Sequence, residues 1–358
     1  MTVGDKTQRI RVLVVDDSSF MRAAIARTLT ATGRFEVVGQ ARDGADALAK
    51  VQALTPDVVT MDFNMPGQTG ADAVREIMRV KPTPVVMFSA HTQKGARETF
   101  DALGAGAVDF VTKPAGEVSA DLSRVQDELT QKLVAAASSR PRSMQRAGTS
   151  RPQKTPAPDS TPNRRAPEPA ATAVLSKLCV VAVSTGGPAA LSRLIPALPA
   201  DTRHAVVVVQ HMPEHFTSSL AERLDAESLV RVREARAGDR PRPGLVLIAP
   251  GDRHLEFDDR GLVVLHDGPL VHGCRPAADL TMTSAAKVYG RRACAIVMTG
   301  MGRDGAQGAL AIRRADGRTL AQDETTSVIF GMPKAAIDAG AIEEVAPLDE
   351  LAPRLRYL

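Results

Sequence analysis

Short apolar runs alternate along most of the chain with longer stretches in which apolar residues recur three and four positions apart. From the N-terminus they read "RVLVVDD", "SSFMRAAIARTLTAT", "EVVGQA", "DGADALAKVQAL" and "DVVTMD". They continue through "ADAVREIMRV", "PVVMFSA", "ARETFDALGA" and "AVDFVTKP", with a last helix from about Ser119. Continuous apolar runs suit buried strands, and the 3.6-residue period suits helices packed on them. Five strands alternating with five helices predict a doubly wound, five-stranded parallel α/β sheet over residues 9–135.

The alternation then stops. From Ser138 to Thr172 the chain reads "SSRPRSMQRAGTSRPQKTPAPDSTPNRRAPEPAAT", rich in Pro, Ser, Arg and Ala and without hydrophobic period. Such a segment buries too little apolar surface to offset chain entropy, so residues 136–174 are expected to form a disordered linker. The pattern resumes at "LCVVAVS" and runs through "ALSRLIPAL", "HAVVVVQHM", "TSSLAERLDA" and "GLVLIAPG" to a hairpin-like "HLEFDDRGLVVLH". A helix at about Asp279 to Tyr289 follows, then "ACAIVMTGMG", "GAQGALAIRRA", "RTLAQDE" and a final helix near Lys334. Residues 175–358 are therefore expected to form a second, larger doubly wound parallel α/β domain.

Charge and composition narrow the function. The net charge is +4, but the basic segment alone carries seven Lys and Arg against two acids, +5, leaving −1 for the rest. The positive charge belongs to the linker and not to a folded face. With no Trp and only two Tyr, stacking platforms are scarce, and no short helix-turn-helix follows the first domain, so no nucleic-acid partner is expected. No apolar run reaches the roughly 20 residues a membrane span needs. The opening "MTVGDKTQRI" lacks the apolar centre of a signal peptide, which predicts a cytoplasmic protein without membrane insertion. Cys179, Cys274 and Cys294 lack metal or CxxC spacing and read as reduced, partly buried thiols. Neither half carries a heptad seam, so a monomer is expected.

The ends of the predicted strands carry the chemistry, as doubly wound sheets require. In the first domain Asp16 and Asp17 follow the first strand, Asp62 the third, Ser89 the fourth and Lys113 the fifth. Three carboxylates converging on one edge would repel unless a hard, oxygen-seeking cation such as Mg²⁺ sat among them. A lysine and a hydroxyl on the same edge could hold the oxygens of a phosphoryl group carried by a carboxylate. The motifs "VDDS", "MDFNMPG", "FSA" and "VTKP", in that order, resemble those of response-regulator receiver domains. The resemblance implies that Asp62 is the phosphoacceptor and that Asp17 and the Asn64 carbonyl join it on Mg²⁺, with Asp16 assisting. It also implies that Ser89 and Lys113 bind the phosphoryl group and that Phe110 is the aromatic switch.

In the second domain Ser184 ends the first strand and His211 ends the next, 27 residues later, an interval that fits one strand-helix-strand crossover. Asp304 follows a later strand, within "MTGMGRDGAQG". Together they could form a nucleophile, a base and an orienting carboxylate. Taken singly, each reads as readily as a capped turn, a structural histidine or a turn residue. The turn "AVSTGG" is close to G-x-S-x-G, with Ala182 in place of the first glycine. A rival reading takes "GMGRDG" with Asp323 as a dinucleotide fingerprint, yet Asp304 would then face an anionic pyrophosphate. "STGGPA" lacks the Gly-Lys-Ser/Thr ending of a phosphate loop. A regulated binding module without chemistry is the other alternative.

Over residues 175–355, "VSTGGP", "VVVQHMPEHFTSSLAERL", "LIAPGDRHLEF", "VMTGMGRDGAQG" and "AQDETTSVIFGMP" resemble the catalytic domain of the chemotaxis protein-glutamate methylesterases. The resemblance implies that Ser184 attacks the methyl ester of a receptor glutamate, His211 acts as base and Asp304 orients it, without a cofactor in that domain. It implies deamidation of certain receptor glutamines by the same acyl chemistry, with the N–H groups of Thr185 and Met301 as oxyanion candidates. Its implied partners are methyl-accepting chemotaxis receptors as substrate and a chemotaxis histidine kinase as phosphodonor. The unphosphorylated receiver is expected to cover the catalytic cleft until Asp62 is phosphorylated.

Overall fold

The computed structural model describes residues 9–89, 92–113, 122, 125–139 and 175–355. They fall into two compact units, each with its own parallel sheet and core.

In the N-terminal unit the strands are β1 (Ile10–Val15), β2 (Phe35–Ala41), β3 (Val58–Asp62), β4 (Val85–Ser89) and β5 (Asp109–Thr112). They alternate with α1 (Ser19–Ala31), α2 (Gly44–Leu54), α3 (Gly70–Val80), α4 (Gln93–Gly104) and α5 (Gln126–Ser138). The helices start where they do because Ser18, Asp43, Thr69 and Thr92 accept the first free backbone N–H groups of α1 to α4. The sheet order is β2-β1-β3-β4-β5, all parallel. Its direction of growth reverses at β1 and β3, which opens a crevice at their carboxyl ends. Val12, Val14 and Phe88 from the sheet meet Leu129 and Leu133 of α5 in the core.

The C-terminal unit has a seven-stranded parallel sheet in the order β14-β13-β12-β6-β7-β9-β8. Its central strands are β6 (Leu178–Val183), β7 (Ala205–Gln210) and β12 (Ala293–Val297), every residue of which is buried. That is why they read as unbroken apolar runs rather than as alternating ones. Outside them lie β8 (Arg231–Glu234), β9 (Leu245–Ile248), β13 (Arg318–Gln322) and β14 (Glu344–Ala346), and β10 (His254–Phe257) pairs with β11 (Val263–His266) as a separate hairpin. The helices are α6 (Gly187–Leu194), α7 (Phe216–Glu227), α8 (Ala278–Tyr289), α9 (Ala306–Arg314), α10 (Gly331–Asp338) and α11 (Leu348–Leu355). The chain leaves β6 toward β7 and later returns on its other side as β12, so β6 is the switch strand.

Three elements escape the hydrophobic pattern. The edge strands β8 and β14 are short and half-exposed, and "RVRE" and "EVA" each offer little apolar signal. The expected helix near Lys334 is α10, and α11 follows it as a further helix whose Pro353 masks the helical period. Helix α5 runs to Ser138, past the expected boundary at residue 135, and begins at Gln126. Residues 119–121 and most of the expected linker, 140–174, lie outside the described residues. No helix among the described residues is long and apolar enough to cross a membrane.

Candidate active site

Ser184 is placed by hydrogen bonds on both flanks of β6. Val183 pairs with Gln210 as the last register step between β6 and β7, and the His211 N–H then donates to the Val183 carbonyl at 3.1 Å. The next step sets Ser184 beside His211 on neighbouring strands, roughly 4.8 Å apart along the sheet. On the opposite flank the Ser184 N–H donates to the Thr299 carbonyl at 3.0 Å. Gly300 lies against the serine so closely that a Cβ there would come 2.8 Å from Ser184 Cβ. The turn after Ser184 uses its two glycines differently. Gly186 takes a left-handed backbone with φ +76°, whereas a Cβ on Gly187 would lie 2.0 Å from Gln210 Oε1.

His211 and Asp304 meet directly, Nε2 to Oδ2 at 2.7 Å. A carboxylate accepts only, so Nε2 carries the proton and Nδ1 is left with its lone pair. This reverses the ring orientation of the familiar serine protease triad, where Nδ1 faces the aspartate. Asp304 is buried, and α8 makes that burial tolerable: its first two backbone N–H groups, of Ala278 and Asp279, donate to Oδ2 and Oδ1 at 2.6 and 2.9 Å. Burial raises the Asp304 pKa, but His211 and these N–H groups outweigh it and hold the carboxyl below its ordinary range. Burial likewise disfavours the His211 cation, yet its bonds to Asp304 and Cys274 prevail and raise its pKa above the ordinary 6.5. Next to this pair, Asp279 accepts from Gly308 N–H at 2.7 Å and holds His272 at 3.0 Å, so the Asp279 and Asp304 carboxylates are both engaged in hydrogen bonds.

Cys274 is the site residue that sequence reasoning missed. Its Sγ lies 3.6 Å from His211 Nδ1, the nitrogen that Asp304 leaves available. Cys179 and Cys294 are buried in register with each other on β6 and β12, as expected of inert thiols, whereas Cys274 is partly exposed. Cysteine spacing carries no trace of this contact, because the loop before α8 creates it. The oxyanion candidates Thr185 and Met301 flank the same strand ends. Among the described residues neither N–H donates to a protein acceptor.

In the N-terminal unit Asp16, Asp17 and Asp62 each bring a carboxylate oxygen within 4.8 Å of the others. Lys113 Nζ bridges two of them, 3.0 Å from Asp16 and 2.9 Å from Asp62. Burial pushes Asp62 up to about 6, against the lowering pull of Lys113. Asn64 lies two residues beyond Asp62 in an exposed loop. The buried Ser89 hydroxyl donates to the Gly95 carbonyl at the start of α4, and Phe110 is buried on β5 with Lys132 Nζ 5.0 Å from its ring centre.

The dinucleotide reading loses both of its supports. Asp304 occupies the glycine loop and faces α8 and His211, while Asp323 accepts from the Thr325 and Thr326 hydroxyls of its own turn.

The first unit thus gathers carboxylates and a lysine at its switch point, and the second gathers serine, histidine and aspartate at another. Residues 12–121 match the response regulator receiver domain family and residues 179–355 match the CheB methylesterase family. A protein-glutamate methylesterase/protein-glutamine glutaminase of Symbiobacterium thermophilum is 47% identical over 355 residues, covering 98% of this chain and 97% of that protein. Proteins of the same name from Pyrococcus abyssi and Bacillus subtilis are 45% and 41% identical, the alignments covering 96% of this chain in each case and 92% and 96% of theirs. The crystal structure of the Thermotoga maritima CheB methylesterase catalytic domain matches 51% of this chain and 99% of its own, at 42% identity and a TM-score of 0.50. The chain belongs to the protein-glutamate methylesterase/protein-glutamine glutaminase family.

The raised His211 pKa has a direct readout. In an NMR titration of histidine-labelled protein, His211 should titrate above 6.5, so its neutral, proton-accepting form builds up only as pH rises past that value. Asp304→Asn removes the main stabiliser of the cation and leaves burial less opposed, so the midpoint should fall. An unchanged midpoint would show that Asp304 does not control the ring.

Proposed function

We propose that this chain hydrolyses methyl esters of glutamate side chains on methyl-accepting chemoreceptors, and deamidates receptor glutamines, through Ser184, His211 and Asp304. The observation that carries the reading is the His211 Nε2 to Asp304 bond, which makes Nδ1, with the Cys274 thiol 3.6 Å away, the proton-accepting nitrogen at the strand end shared with Ser184.

Neutral His211 accepts the Ser184 proton at Nδ1 as Oγ bonds to the ester carbonyl carbon. The imidazolium that forms is stabilised by buried Asp304, and the tetrahedral oxyanion is met by the Thr185 and Met301 N–H groups. His211 returns the proton to the departing methanol as the C–O bond breaks and the acyl-serine forms. Water then gives a proton to Nδ1 as it attacks the acyl carbon, and His211 passes that proton to Ser184 Oγ as the acyl C–Oγ bond breaks, releasing glutamate and restoring both residues. With a glutamine substrate the leaving group is ammonia.

Phosphorylation of Asp62 by a chemotaxis histidine kinase raises this activity. The carboxylates of Asp16, Asp17 and Asp62 suit Mg²⁺, being hard oxygen donors gathered within 4.8 Å, with the Asn64 carbonyl as the further ligand. When bound, the ion supplies the positive charge that lets a dianionic phosphoryl group approach Asp62. Lys113 already bridges Asp16 and Asp62 and supplies a second positive charge for that group. Ser89 and Phe110 are the residues whose rearrangement would report phosphorylation: Ser89 would exchange its bond to Gly95 for a phosphoryl oxygen.

Methanol release from methylated receptor membranes tests the chemistry. Ser184→Ala should lower the rate on the order of 10⁶-fold, to background, and a variant that still releases methanol would remove Ser184 as the nucleophile. Regulation is tested with a small phosphodonor, which should accelerate wild type but not Asp62→Asn; equal stimulation of both would remove the phosphoacceptor assignment. The Cys274 contact makes a third prediction. Iodoacetamide should inactivate wild type at the rate at which Cys274 is alkylated, because the added group occupies the space at Nδ1. The activity of Cys274→Ala, whatever its starting value, should resist the reagent.

A further inference from the structure

We infer that Gln210 is a positioning residue of the esterase site, one buried amide that holds the nucleophile and the base in register. The inference rests on the assignment of Ser184 and His211 above. Gln210 Nε2 donates to the Ser184 carbonyl at 3.1 Å and to the His211 carbonyl at 3.2 Å. Those two carbonyls belong to the catalytic residues themselves, and they lie just where the β6–β7 ladder ends at the Val183–Gln210 pair. Beyond that pair only the His211 N–H to Val183 bond still ties the two strands in the ladder pattern. The amide therefore extends the register by one step, to the residues that must meet.

The orientation of the amide is settled by its surroundings, since the opposite flip would set its oxygen against two carbonyl oxygens. Its own Oε1 is buried and has no hydrogen-bond partner among the described residues. An apolar side chain of the same length would fill the space without leaving a buried acceptor unpaired, so packing alone does not explain a glutamine here. The sequence makes room for it: Gly187 is the neighbour whose Cβ would collide with Oε1 at 2.0 Å. The second glycine of "STGGP" is thus the counterpart of Gln210, as the first serves the left-handed turn. On the other flank Thr299 Oγ1 donates to the Thr185 carbonyl at 2.9 Å and accepts from Ile329 N–H at 3.0 Å. Thr299 steadies the turn through its side chain and holds the Ser184 N–H through its carbonyl, whereas Gln210 bonds to both Ser184 and His211.

The test compares kcat, KM and thermal unfolding of the full chain for wild type, Gln210→Met and Gln210→Glu, with methylated receptor membranes as substrate and Ser184→Ala as control. Gln210→Met keeps the length and loses both donations; a misplacement of about 1 Å costs on the order of 10²-fold, and kcat should fall by that much with KM unchanged. Gln210→Glu, protonated at so buried a position, keeps one donation of the two and should fall between. The acid limb of the pH profile should stay where wild type has it, because the Asp304 bond to His211 is untouched. Wild-type kcat in Gln210→Met, a rise in KM alone, or a loss matched by the fraction unfolded would overturn the inference. An active Ser184→Ala would instead overturn the assignment of the nucleophile, which the same assay distinguishes.

Discussion

The catalytic unit depends on one strand being hydrogen-bonded on both sides. β6 pairs with β7, which follows it directly, and with β12, which arrives more than a hundred residues later. Because all three run parallel, their carboxyl ends open on the same edge, and the residues that follow them converge without any long loop having to fold inward. Ser184 leaves β6, His211 leaves β7, and Asp304 comes from the turn after β12. A slip in the β6–β7 register would move Ser184 away from His211, and the side-chain bonds from Gln210 and Thr299 resist such a slip at the last step.

The two units solve the same electrostatic difficulty with different means. Each must keep carboxylates out of water, where ionised groups are disfavoured unless compensated. In the hydrolase, Asp304 is compensated by the N-terminus of α8 and by His211, which keeps it ionised and makes His211 more basic. In the receiver, Asp62 has Lys113 on one side and Asp16 on the other, and burial raises its pKa. The first arrangement is complete and holds a fixed geometry. In the second, burial outweighs the bridging lysine and holds the Asp62 carboxyl above its ordinary range.

Much of this was legible along the chain. The central strands are buried on both faces, so their apolar runs announce them, and the polar residue that stops each run is the one placed at the sheet edge. Ser184, His211, Asp16, Asp62 and Lys113 could be singled out on that ground, and Asp304 by its place in the glycine-rich turn that follows β12. The edge strands β8 and β14 could not, because a half-exposed strand of three or four residues leaves no period to detect. Cys274 and Gln210 were passed over for another reason. One lies in a loop and the other inside an apolar run, and neither position has a pattern that marks it as chemical.

Sequence by itself determined the two parallel sheets, the break between them and the residue types delivered to each edge, because burial and periodicity act locally along the chain. Tertiary structure alone decided which atoms meet. It turned His211 so that Nε2 faces Asp304, brought the Cys274 thiol to Nδ1, seated the Gln210 amide against Gly187 and turned Ser89 toward Gly95. All but the Ser89 contact join residues distant in sequence, and the direction in which a side chain points follows from neighbours that only the folded chain supplies.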